Sequence, residues 1–163
     1  GYAVWLGDTL LYCGEIAKKP RSKGRWQDVR HYPGAPEPAY SEYPTEETAW
    51  QGIIDPLYGE SAAHIVVEQV FVGPNRMTII SLARRHGRIQ AFLGDKKGKL
   101  WIAVENAKWR RASKDLIGGK WPKGRDEKKK AAMQAVVKAF GIDAGPDVAD
   151  AVLVGRWFAG QEK

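Results

Sequence analysis

Residues 64–72 read HIVVEQVFV, and this run of β-branched and apolar side chains predicts a strand that helices cover on both faces. The chain around it alternates between short strands and amphipathic helices. Residues 1–6 and 9–16 predict a hairpin that turns at Gly7-Asp8, and residues 100–104 predict one more strand. The spacing of apolar residues predicts helices over 46–58, 76–94, 128–140 and 147–159. Elements in this order are typical of an α/β layer architecture.

The polar segment at residues 18–45 interrupts this alternation. It contains five prolines and two glycines, which disfavour a continuous helix or a central strand. We therefore expect a long Pro-rich surface loop at residues 18–45, inserted in a single domain of 163 residues.

The net charge of +7 is concentrated in one segment of the chain. Residues 108–130 contain ten Lys or Arg against three acidic residues, whereas the rest of the chain has sixteen of each sign. A neutral body with one strongly positive segment favours a phosphate backbone as the partner. The alternative is a solvated basic surface that serves solubility.

The rest of the composition excludes several classes of protein. Cys13 is the only cysteine, which excludes a disulfide framework and a cysteine-based zinc site. No apolar run is long enough for a membrane span, and the N-terminus shows no signal-peptide pattern. We expect a soluble intracellular protein without a membrane partner.

Three acidic residues stand out as candidates for chemistry. Glu68 is a carboxylate within an otherwise apolar predicted strand, so either an arginine compensates it or it has a chemical role. Asp147 and Asp150 are three residues apart at a predicted helix start, which puts both on one face. Their alternative role is to complement the helix dipole.

Carboxylates from separate elements suit a hard divalent cation such as Mg²⁺. Two such ions roughly 3.5–4 Å apart activate a water and stabilise the leaving oxygen of a phosphodiester. Histidine-based catalysis is less attractive, because His31, His64 and His86 have no obvious nucleophile beside them, and the sequence has no Gly-rich phosphate loop.

Several ordered segments resemble the RuvC family of Holliday junction resolvases. VVEQVFVGPN, residues 66–75, resembles the strand that carries the family's second catalytic acid, which corresponds to Glu68. PDVADAVLVG, residues 146–155, resembles the family's C-terminal acidic motif, which contains Asp147 and Asp150.

Two further segments extend the resemblance to about three quarters of the chain. GRDEKKKAAMQAVV, residues 124–137, resembles the start of the family's lysine-bearing helix and places Lys128 at the lysine position. The opening GYAVW is similar to the family's second strand.

The resemblance implies a ribonuclease H-like fold, in which a mixed β-sheet is flanked by helices on both faces. It also implies a homodimer that makes paired nicks across a four-way DNA junction, with two Mg²⁺ or Mn²⁺ ions in each active site. A two-fold dimer presents two equal sites to such a junction. The expected location is the cytoplasm of a bacterial or phage-infected cell.

The resemblance also assigns residues to the DNA. Phe71 occupies the position of an aromatic that inserts at the junction centre, with core packing as the alternative. Gln69 is a candidate DNA contact or a polar residue at a strand edge. The other candidate DNA contacts belong to the basic segment and are Lys108, Arg110, Arg111, Lys114, Lys123 and Arg125.

Two features depart from the family pattern. The insertion at residues 18–45 has no counterpart that we can match. The family's first catalytic Asp lies on a strand directly before the GYAVW segment, and this sequence begins at Gly1. We therefore expect a further strand with that Asp before Gly1 in the natural protein.

The expected function is metal-dependent hydrolysis of branched DNA. Glu68, Asp147 and Asp150 would be the metal ligands, and Lys128 would neutralise phosphate charge near the scissile bond. Two alternatives stay open. One is a non-catalytic module that binds DNA junctions, and the other is a ribonuclease H-like nuclease that acts on another branched or hybrid substrate.

Overall fold

The computed structural model describes residues 1–19, 24–57, 64–68, 76–94 and 100–161. The strands are β1 (Tyr2–Leu6), β2 (Thr9–Lys18), β3 (Trp26–His31), β4 (Ala39–Tyr43), β5 (His64–Glu68) and β6 (Leu100–Val104). The α-helices are α1 (Glu46–Ile54), α2 (Arg76–Gly94), α3 (Asn106–Ala112), α4 (Arg125–Phe140) and α5 (Pro146–Ala159). This mixed α/β fold confirms the predicted class. Among the described residues, the strands form an antiparallel sheet of order β1-β2-β3-β4 and a parallel pair β5-β6.

The first two strands form the predicted hairpin. Gly7 lies in the turn with a φ of 54°, a conformation that glycine adopts readily. The register between the strands shifts between Val4 and Trp5. Because such a bulge reverses the alternation of faces, Leu10 and Cys13 point into the same core although they are three residues apart.

The prediction of a surface loop over residues 18–45 is wrong. Strand β3 pairs with β2 on one side and with β4 on the other, so this segment contributes an inner strand and an edge strand to the sheet. The described prolines of the segment lie between β3 and β4 or directly after β4, where they remove no hydrogen bond from the ladder. The strands were not predicted because they are short and lie between the prolines and glycines that indicated a loop.

The four-stranded sheet is covered on both faces. Helix α1 packs on one face, in a core that contains Tyr2, Val4, Ile16, Ala49, Ile53 and Ile54. Helices α4 and α5 pack on the other face, where the core contains Leu10, Cys13, Ala132, Val136, Val148, Val152 and Leu153. The sheet is therefore the middle layer of this part of the molecule.

Helix α5 connects the two sheets. It packs against β1 and β2 as well as against β5, and it also contacts α3 and α4. Gly155 allows the close approach to β1, because a Cβ at this position would lie 2.2 Å from Nε1 of Trp5. Pro146 is in the first turn of α5, where its missing N–H removes no helical hydrogen bond. The N-terminus of α5 is thereby fixed beside β5.

The remaining elements follow the sequence predictions with small differences. Thr45 caps α1, because its Oγ1 accepts the N–H of Thr48 at 3.1 Å. Helix α2 is confirmed over its length, although Met77 on its predicted apolar face is 72% exposed. Helix α4 ends where expected, at Gly141 in the left-handed conformation. Helix α3 was not predicted. Residues 69–72 of the predicted strand lie outside the described residues.

Candidate active site

Glu68 is the last described residue of β5, at the carboxyl end of the parallel pair. The register aligns it with Val104 of β6, and α3 starts two residues later. This connection brings Asn106 and Trp109 to the Glu68 side chain. Burial raises the pKa of Glu68, while Arg110, Trp109 and Asn106 lower it and Asp147 raises it further. A partly buried carboxylate with a raised pKa marks a candidate functional site.

The N-terminus of α5 brings the other two predicted acids to the same place. Burial raises the pKa of Asp150 to about 6, and the charges of Glu68 and Asp147 raise it as well. Asp147 is more exposed, with 71% of its side chain accessible. Because these side chains influence one another electrostatically, we call Glu68, Asp147 and Asp150 the carboxylate cluster. The three predicted acids are therefore close enough to interact electrostatically.

Two basic side chains compensate this cluster. Lys129 on α4 places Nζ 3.6 Å from Oδ1 of Asp147. The charge of Arg110 on α3 lowers the pKa of both Glu68 and Asp150. The carboxylate cluster therefore has one neighbouring cation on each of two helices.

Two tryptophans hold Arg110. The guanidinium carbon lies 4.9 Å from the ring centre of Trp109 and 5.8 Å from that of Trp121. The two indoles meet edge to face at 5.7 Å, and Nε1 of Trp121 donates a hydrogen bond of 2.6 Å to the backbone oxygen of Arg110. These contacts restrict Arg110 to the space beside the acids.

A cavity of about 270 Å³ adjoins the carboxylate cluster. Five of its lining residues are basic and one is acidic, which makes it suitable for an anion. We call this space the basic cavity, and it is lined by Arg110, Trp121, Lys123, Arg125, Lys128, Lys129 and Asp150. Lys128, the predicted phosphate neutraliser, lies in the cavity wall beside Asp150 rather than on an unrelated surface.

Two polar atoms beside the cluster have no partner. Within the described part of the chain, Oδ1 of Asn106 and Nε of Arg110 are buried without a partner in hydrogen-bonding geometry, as are the indole nitrogens of Trp5 and Trp50 outside the site. Trp109 is completely buried. Such groups are uncommon in native proteins, and water, a bound ion or a ligand normally satisfies them.

The carboxylate cluster is suitable for a divalent cation for two reasons. Carboxylate oxygens are the ligands that such ions prefer, and a cation would relieve the repulsion between the three carboxylates. The side chains do not form a ready-made coordination shell, because no group of three His, Cys, Asp or Glu in the described residues has metal-binding spacing. Binding of Mg²⁺ or Mn²⁺ thus requires the acids to turn toward one another and away from their basic neighbours.

The predicted DNA contacts divide into three groups. Arg110, Lys123 and Arg125 line the basic cavity. Lys108, Arg111 and Lys114 are exposed and lie outside its lining, and Nζ of Lys108 is 3.9 Å from Glu105, the residue that precedes α3. Phe71 and Gln69 lie outside the described residues, so their assignments stay predictions.

Four residues of the site were not singled out from the sequence: Asn106, Trp109, Trp121 and Lys129. The two tryptophans within a basic segment are the signal that could have indicated an arginine held by aromatic rings. Lys129 could not be separated from Lys128 and Lys130 by pattern, because only the phase of α4 decides which lysine faces the acids.

Neither models of protein families nor curated proteins match this sequence. No helix in the described ranges is both long and apolar enough to cross a membrane. The assignment of an activity therefore depends on the geometry of the carboxylate cluster and the basic cavity, together with the resemblance of the sequence segments.

Proposed function

We propose that this protein is a structure-selective DNA endonuclease that resolves four-way junctions by paired, metal-dependent hydrolysis of phosphodiesters. The observation that carries the proposal is the position of the carboxylate cluster, which joins Glu68 at the end of β5 to the first turns of α5 and adjoins the basic cavity. Acids for metal ions beside cations for phosphate are the two requirements of this chemistry.

The acidic, basic and aromatic residues of the site would have different roles in this reaction. Glu68, Asp147 and Asp150 would hold Mg²⁺ or Mn²⁺, which supplies an activated water and stabilises the leaving oxygen. Lys128 and its neighbours in the basic cavity bind and orient the phosphate and neutralise its charge. The tryptophans around Arg110 keep the guanidinium in place and exclude water from one side of the site.

The proposal includes a ribonuclease H-like fold and a homodimer. The order of elements and the helices on both faces of the antiparallel sheet support the fold. The resemblance to the RuvC family supports the junction as substrate, the two-fold dimer and the insertion of Phe71 at the junction centre.

The alternative is a non-catalytic protein that binds DNA junctions. One observation favours it: in the described residues Asp147 pairs with Lys129 and the acids do not form a metal-binding group. A ribonuclease H-like nuclease for another branched or hybrid substrate is the second alternative, because the carboxylate cluster and basic cavity would serve any phosphodiester.

The test compares substrates under matched conditions. Purified protein is incubated with a labelled four-way junction, a linear duplex, a flap and an RNA–DNA hybrid, each with Mg²⁺ or with a chelator, and the oligomeric state is measured by sedimentation. We expect a dimer that makes symmetric nicks only in the junction and only with Mg²⁺. Junction binding without cleavage would support the binding module, and a monomer that cleaves the flap or the hybrid equally would support the other nuclease.

A further inference from the structure

Arg110 and Lys129 each belong to two sites at once. Both line the basic cavity, where a phosphate would contact them. Both also compensate the carboxylate cluster, Lys129 through its 3.6 Å approach to Asp147 and Arg110 through its proximity to Asp150 in the cavity wall. A side chain that pairs with a carboxylate cannot at the same time give its full charge to a phosphate.

Arg110 has one N–H that can bind a further partner. Its Nε is buried without a hydrogen-bond partner among the described residues, although the charge of Arg110 acts on Glu68 and Asp150 and its guanidinium lies over two indole rings. A buried N–H of this kind is normally satisfied by the protein, by water or by a bound ion. Arg110 therefore has a donor for a phosphate in the cavity.

We propose that a DNA phosphate in the basic cavity competes with the carboxylate cluster for Arg110 and Lys129. The two basic side chains neutralise either the acids or the phosphate. Without DNA, both side chains neutralise the acids and weaken the binding of a divalent cation. When a phosphate enters the cavity, it draws these side chains to itself and frees the acids for the cation. DNA and metal therefore strengthen each other's binding, and by thermodynamic linkage the effect is equal in both directions.

This inference rests on the proposed function only in taking DNA as the source of the phosphate. Its consequence is a nuclease that binds metal weakly until its substrate is present. Arg110 and Lys129 line the same cavity as Asp150, and Lys129 already contacts Asp147, so the proposed exchange is a change of side-chain partners.

The first experiment measures Mn²⁺ affinity in the absence of DNA, by the loss of the free-ion signal in electron paramagnetic resonance. We expect Arg110→Gln and Lys129→Gln each to bind Mn²⁺ about tenfold more tightly than the wild type, within the usual range of such couplings. The neighbour Lys130 is exposed and does not line the cavity, so Lys130→Gln is the matched control with unchanged affinity. Arg110→Lys keeps the charge and should remain close to the wild type, and thermal melting verifies that each variant is folded.

The second experiment measures the affinity for a fluorescent four-way junction by anisotropy, with Ca²⁺ or with a chelator at constant ionic strength. In the wild type, Ca²⁺ should tighten binding about tenfold, and Arg110→Gln should reduce this ratio to about threefold or less. Unchanged Mn²⁺ affinity in both glutamine variants, or a junction affinity that Ca²⁺ does not alter, would overturn the proposal. Neither measurement uses cleavage, so a protein that shows the coupling but never cuts would contradict the endonuclease and leave the exchange intact.

Discussion

The molecule contains two arrangements of a carboxylate, an arginine and aromatic rings, and they differ in how completely their hydrogen bonds are formed. In the four-stranded sheet, Asp28 is 1% exposed, accepts the hydroxyl of Tyr2 at 2.6 Å and pairs with Nη2 of Arg30 at 2.9 Å. The guanidinium of Arg30 lies 4.6 Å from the ring centre of Tyr12. Burial raises the pKa of the Tyr2 hydroxyl, which keeps it a hydrogen-bond donor.

The second arrangement, around Arg110, uses the same residue types with the opposite result. Burial and mutual repulsion raise the pKa of Asp150, and the buried Nε of Arg110 has no hydrogen-bond partner among the described residues. A fully satisfied polar network makes a structure rigid, whereas an unsatisfied buried group needs an explanation such as a bound ion, a water or a catalytic role. This difference is the reason to treat Asp28 as structural and Asp150 as a candidate for function.

The largest effect expected from this difference is on cleavage. Asp150→Asn should reduce junction cleavage by more than about a hundredfold, since even groups that only support metal ligands are worth about 10- to 100-fold. Junction affinity should stay within a few fold, because the carboxylate serves the metal more than the DNA. Cleavage gels and anisotropy on the same preparation measure both quantities, and normal cleavage would remove Asp150 from the site.

The same chemical change in the sheet should affect stability instead. Asp28→Asn leaves Arg30 without its counter-ion in a largely buried position, so we expect the free energy of unfolding to fall by about 3 kcal/mol in urea titrations. Cleavage per folded molecule should be retained. Glu42→Gln is the control, because Glu42 pairs with Lys19 and Arg25 at the surface, where ion pairs contribute little. Equal stability of the two variants would contradict the structural role of Asp28.

The pH dependence of stability should show whether Asp150 is a perturbed acid. Asp150 has a pKa of about 6 in the folded, metal-free protein against 3.8 for the ordinary group, so the folded state holds the proton more tightly. Unfolding then becomes easier as the pH rises from about 4 to 6, and the contribution is constant above that range. After a discount for partial exposure, we expect the free energy of unfolding of the wild type to fall by about 1–2 kcal/mol relative to that of Asp150→Asn over this interval. Parallel stability curves for the two proteins would show that the acid is not perturbed.

Much of this arrangement follows from local sequence. The β-branched run that contains Glu68, the Pro146 that starts α5 and the glycine that ends α4 each act within a few residues, so the elements that carry the acids could be predicted. The i, i+3 spacing of Asp147 and Asp150 likewise depends only on helical geometry. Their approach to Glu68 was inferred from chemistry, and the structure brings the three together.

The rest depends on contacts between distant segments. Strand β3 is stabilised by its pairing with β2 and by the interactions of Asp28 with Tyr2 and Arg30, and no local propensity indicates these partners. Helix α3 is too short to have a clear period, and Trp109 is buried because α5 and β6 enclose it. Hence the sequence alone did not reveal which of the basic residues at 108–130 face the carboxylate cluster.

The smallest effect expected is on the salt dependence of DNA binding, and it distinguishes the basic cavity from ordinary surface charge. Each phosphate contact that is lost should lower the slope of log affinity against log salt by about 0.9. Lys123 lines the cavity, so Lys123→Gln should remove about one phosphate contact, lower this slope by about 0.9 and weaken binding a few fold. Lys138 is exposed in the last turn of α4, outside both the cavity and the basic segment, so Lys138→Gln should leave the slope unchanged. Anisotropy titrations between 50 and 200 mM salt, on the order of the range over which such slopes are resolved, measure both variants. Because the two substitutions remove the same charge, equal slopes would mean that the protein attracts DNA by its net charge alone, and the basic cavity would then have no special role in holding phosphate.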